Sequence, residues 1–79
     1  MGKKLCMRHI PSDNVFMTGI DTYEEAVERL ADIAVDKGYI LVQLELHILT
    51  ESNHKIPASL HLAHLFIKAY KELGGDVDW

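Results

Sequence analysis

The chain reads as a small α+β domain: a single-layer sheet in the order β-β-α-β-α, with two helices on one face. Two observations carry that reading. The segment Tyr39-Ile-Leu-Val-Gln-Leu-Glu-Leu-His-Ile-Leu49 alternates as a strand does, and it lies between two segments with helical periodicity. Ile40, Val42, Leu44, Leu46 and Ile48 would give that strand one apolar face. Tyr39, Leu41, Gln43, Glu45, His47 and Leu49 would give it a mixed one.

Residues 4–10 form the first expected strand, and Val15-Phe16-Met17-Thr18 the second, with the turn formers Pro11-Ser12-Asp13-Asn14 between them. The competing reading of residues 1–20 is an irregular arm. The first helix starts at Asp21, a good N-cap with Glu24 three residues on, and stops at Gly38. Tyr23, Ala26, Val27, Leu30, Ala31, Ile33 and Ala34 form its apolar face. A polar loop spans residues 50–55, and Pro57 suits the first turn of a second helix ending at Gly74-Gly75. Asp76-Val77-Asp78-Trp79 alternates and reads as a short edge strand or a docked tail. A helix crossing between the second and third strands sets those strands parallel.

Seventy-nine residues suit one domain, 1–79, and the 48% hydrophobic content is enough for a core. The one cysteine, Cys6, excludes an internal disulfide framework. The longest apolar run is too short and too interrupted to span a membrane, and no leader segment is evident, so a cytoplasmic protein with no membrane partner is expected. The net charge of −4 makes nucleic acid an unlikely partner. That charge is unevenly spread. Residues 21–38 hold six acids against Arg29 and Lys37, whereas residues 1–20 sum to +2.

No catalytic constellation stands out. There is no glycine-rich phosphate loop and no nucleophile elbow, and Cys6 and His9 would leave opposite faces of a strand. A non-enzymatic chain without a cofactor is the expectation. Five histidines raise a metal alternative through His47, His61 and His64, but Lys68 and Lys71 share the polar arc of the second helix and oppose a dication. The expected metal set is therefore none. The acids Glu24, Glu25, Glu28, Asp32 and Asp36 form a charged stripe, either a solvated face or an acidic surface that meets a basic groove. The second helix has an apolar arc wider than one sheet contact needs. That excess, with the mixed strand face, points to a macromolecular partner or a second copy of the chain. The candidate partner-binding residues are Tyr39, Leu41, Gln43, Glu45, His47, Leu60 and Ile67.

Overall fold

The structure is a computed structural model and describes residues 2–75. The expected C-terminal strand or tail at 76–79 lies outside the described residues. A hairpin opens the chain: β1 (Lys4–His9) and β2 (Asn14–Gly19). Asp13 takes a left-handed conformation at φ 60°, which Asp tolerates, and its amide donates to the His9 carbonyl at 2.8 Å. The Arg8 guanidinium holds the Asp13 carboxylate at 2.7 Å across the same turn. These local bonds make residues 4–19 a hairpin, not an irregular arm.

Helix α1 (Tyr23–Lys37) begins one residue later than the sequence suggests. Thr22, not Asp21, is the N-cap, and its hydroxyl accepts the Glu25 amide at 3.2 Å. Thr22 also has a Glu three residues on, so the capping pattern holds with its register shifted by one residue. Gly38 ends the helix at φ 71°, and the Tyr39 amide donates to the Ala34 carbonyl at 2.9 Å. This doubly bonded left-handed stop turns the chain sharply.

That turn overrides the expected eleven-residue strand. Leu41–Gln43 forms one 3-10 turn, and β3 covers only Leu44–Leu49. Ile40 and Val42, expected on the buried face, are 53% and 63% exposed. Tyr39 lies flat on His9, with ring centroids 3.7 Å apart, and its carbonyl accepts the Tyr70 hydroxyl at 2.7 Å.

The loop at residues 50–54 leads into β4 (Lys55–Pro57), a three-residue strand absent from the sequence reading. Pro57 therefore ends a strand and does not start a helix. Helix α2 (Leu60–Glu72) is capped by Ser59, whose hydroxyl accepts the Leu62 amide at 3.2 Å. Gly74, at φ 91°, and Gly75 stop it as expected.

The sheet order is β2-β1-β3-β4, with every neighbouring pair antiparallel. Two antiparallel steps leave β2 and β3 parallel to each other with β1 between them, so α1 crosses over the central strand. Both helices pack on one face, where Leu5, Met7, Ala26, Val27, Leu30, Ala31, Ala34, Leu62, Phe66 and Tyr70 form the core. Phe16, Leu44, Leu46 and Ile48 close it from the sheet side.

Candidate functional site

Strand alternation fixes which side chains leave the other face of the sheet. Leu5 and Met7 enter the core, so Lys4, Cys6 and Arg8 point away from the helices. Their register partners do the same. Val15, Arg8 and Glu45 make one row across the strands, and Met17, Cys6, His47 and Pro57 a second. Gly19, Lys4, Leu49 and Lys55 make the third. No described helix covers this face.

The middle row combines apolar surface with concealed polarity. Met17 is 55% exposed, next to Val15 of the adjoining row at 47%, while Cys6 and His47 are 1% and 7% exposed. Burial pushes the Cys6 thiol above its ordinary range, although Lys4 and Lys55 pull the other way. The thiol therefore stays protonated and is a poor nucleophile. Burial holds His47 below the usual imidazole value, and Lys55 adds to that, with Glu45 opposing. The His47 Nδ1 is buried and has no hydrogen-bond partner. A neutral imidazole beside a protonated thiol on an uncleft surface offers no activated nucleophile.

Charge is sorted between the two sides of the molecule. Lys4, Arg8 and Lys55 against Glu45 make the open face net positive. Glu24, Glu25, Glu28, Asp32 and Asp36 are all exposed on α1. Glu25 pairs with Arg29 at 3.3 Å, and Arg29 also donates to the Thr18 hydroxyl at 3.2 Å and the Gly19 carbonyl at 3.4 Å. Arg29 thus reaches from α1 to the C-terminal end of β2.

The seven residues expected to form one partner surface are placed on different parts of the molecule. Glu45 and His47 belong to the open face. Leu41 and Ile67 line a shallow groove on the opposite side, between β3 and α2, with Leu44, Leu46, Ala63 and Phe66. Tyr39 is stacked under His9, Gln43 sits in the 3-10 turn, and Leu60 is 74% exposed at the start of α2. The cause is the shortened β3: once residues 39–43 leave the sheet, their alternation no longer sorts them by face.

The three histidines of the metal alternative are not brought together. His47 leaves the open face, while His61 and His64 are exposed on α2, which packs on the other. Among the described residues, no three His, Cys, Asp or Glu side chains are placed to hold a metal ion. No described helix is long and apolar enough to cross a membrane.

Sequence reasoning missed Val15 and Met17. Val-Phe-Met-Thr was read as a strand, and its alternation could have placed Val15 and Met17 opposite Phe16, but nothing in the sequence shows that β2 lies at an edge. No family model matches this chain, and neither does any curated protein or solved structure.

Proposed function

We propose that this chain is a small non-catalytic interaction module that binds another protein chain through its uncovered sheet face. One observation carries the reading: a four-stranded sheet with its helices all on one side, whose other face displays Val15 and Met17 among basic residues. Apolar surface left next to positive charge suits a protein partner that has an apolar centre and an acidic rim. The open face carries no Phe, Tyr or Trp on β1 to β4, so it offers no platform for stacking nucleic-acid bases.

A second reading rests on α1. Among the described residues, Glu24, Glu28, Asp32 and Asp36 have no ion-pair partner, which fits an acidic surface that occupies a basic groove.

The two readings separate by mutation. A Met17→Glu variant and a Glu24→Lys/Glu28→Lys/Asp32→Lys variant are compared with the wild type, each folded by circular dichroism. Self-association is followed by light scattering and partner capture by pull-down from the native host extract. The open-face reading expects binding that Met17→Glu abolishes and the triple reversal preserves. The opposite pattern transfers the function to α1. A wild-type chain that captures nothing and stays at 9.0 kDa overturns both.

A further inference from the structure

The two edges of the sheet are built differently, and the hydrogen-bond parity of the strands shows how. The Ile10 amide donates to the Gln43 carbonyl at 2.9 Å, continuing the β1–β3 register. In an antiparallel ladder, alternate residues turn their backbone groups to alternate neighbours. Lys4, Cys6 and Arg8 therefore bond toward β3, and Leu5, Met7 and His9 toward β2. The β2 partners of Leu5, Met7 and His9 are Thr18, Phe16 and Asn14, which bond back to β1. The backbone groups of Val15, Met17 and Gly19 consequently face outward. Arg29 agrees with this, because it reaches the Gly19 carbonyl from outside.

The same counting on β4 turns Lys55 and Pro57 outward. The Thr50 amide donates to the His54 carbonyl at 3.0 Å, which keeps Ile48 and Ile56 on the shared side. Pro57 has no amide hydrogen, and Lys55 brings a charge. Both features discourage strand addition, and β4 has only three residues. The β2 edge has six residues, Asn14-Val-Phe-Met-Thr-Gly19, with no charge and no proline. No described strand pairs with its outer side, where Arg29 reaches the Gly19 carbonyl.

We infer that a second copy of this chain pairs with β2 along that edge, across a twofold axis through Phe16, giving one continuous eight-stranded sheet. This goes beyond the reading above, because the second copy occupies the β2 edge and leaves the open face uncovered. Self-pairing must be antiparallel and isologous. In the register centred on Phe16, Val15 of one copy exchanges both backbone bonds with Met17 of the other, and the reverse. Their side chains then extend the open face without interruption. The half-buried Phe16 residues meet on the helix side. Asp13 of each copy falls opposite Gly19 of the other, beside the guanidinium of Arg29, so opposite charges meet at both ends.

The neighbouring register, centred on Met17, is worse on two counts. It would set Val15 against a Gly19 carbonyl that Arg29 already holds, and it would put Asp13 opposite Asp21 of the second copy. The Phe16-centred register leaves the Asp13–His9 and Arg29–Gly19 bonds in place. An interface of one strand pair is small, so the dimer should form in the range of roughly 10 μM to 1 mM.

The test is sedimentation equilibrium over about that range on wild type and Met17→Pro. Proline at an outward position removes an amide that faces solvent in the monomer, so circular dichroism should stay native. Dimerisation should weaken at least roughly tenfold, because each copy loses the Met17 amide that donates to Val15 of the other. If Met17→Pro does not fold, Met17→Lys replaces it, setting a charge beside Val15 of the second copy. Register is read separately in a Cys6→Ser background. A mixture of Val15→Cys and Met17→Cys chains should form the mixed disulfide, since directly opposed strand residues lie within bonding reach. Met17→Cys chains joined to one another in preference would overturn the Phe16-centred register. Association unaffected by both Met17→Pro and Met17→Lys would overturn edge pairing while leaving an open-face interaction module standing. A wild-type monomer throughout the range overturns the second-copy inference, and partner capture abolished by Met17→Glu would then still support the module.

Discussion

Leu30→Ala is expected to cost about 3 kcal/mol of folding stability, within the usual span of roughly 2–5 kcal/mol for buried Leu truncation. Leu30 is fully buried on the face of α1 that meets both the sheet and α2. Its removal leaves a cavity in the core cluster it shares with Leu5, Met7 and Phe66, side chains held by β1 and α2 that do not collapse together. A chain of this length has only about 4–12 kcal/mol of total stability. Loss of about 3 kcal/mol should lower the melting temperature by roughly 12–24 °C. Thermal unfolding followed by circular dichroism measures it. A shift of under about 5 °C would mean that α1 is not anchored as described.

His47→Leu is expected to act in the opposite direction. His47 holds a buried Nδ1 without a partner, and leaving such a group desolvated costs about 1–3 kcal/mol. Leu fills a similar volume with no polar atom, so a gain of about 1 kcal/mol is expected at pH 7. The pH dependence gives a sharper result. Burial lowers the folded-state value below that of the unfolded chain. Between those two values the unfolded state binds a proton that the folded state does not, so folding stability falls as pH falls. The contribution is fully present above the unfolded value, near 6.5, and is lost as the pH drops through it toward the lower folded value. Urea midpoints at pH 7.5, 6.5 and 5.5 should show a decline in wild type that is smaller in His47→Leu. Equal declines in the two proteins would show that His47 is not the group responsible.

What the sequence made legible follows from the physics of each signal. The helices were clear because their periodicity runs over three or more turns, and because Gly38 and Gly74-Gly75 are strong stops. The α+β class and the one-sided packing followed from that periodicity together with the alternation of Leu44 to Leu49. The extent of the third strand was not legible. Ile40 and Val42 continue the apolar alternation, and only the bond from the Tyr39 amide to Ala34 shows that the chain has turned away from the sheet. β4 escaped notice because three residues carry no period, and because Pro57 is as natural at a strand end as at a helix start.

The candidate site was less legible than the fold. Which face of a strand is apolar can be read locally, but which strand lies at an edge is a property of the order β2-β1-β3-β4. The sequence places β2 beside β1 and is silent about its other side. His47 marked a position of interest for a different reason from the one that proved relevant. It lies on the other side of the sheet from His61 and His64, and with Cys6 it is a buried titratable group of the open face. The exposure of the acids on α1 follows from helical periodicity alone. Their function is a question of partners.

Amide hydrogen exchange at β2, followed by NMR at low and high protein concentration, tests the central claim most directly. In the monomer the Val15 and Met17 amides face solvent, whereas the Phe16 amide bonds to β1. Phe16 should be protected at every concentration. Val15 and Met17 should exchange freely in dilute solution and become protected as the protein concentration rises. Exchange at Val15 and Met17 that is independent of concentration, with the chain otherwise folded, would contradict a second copy seated on this edge.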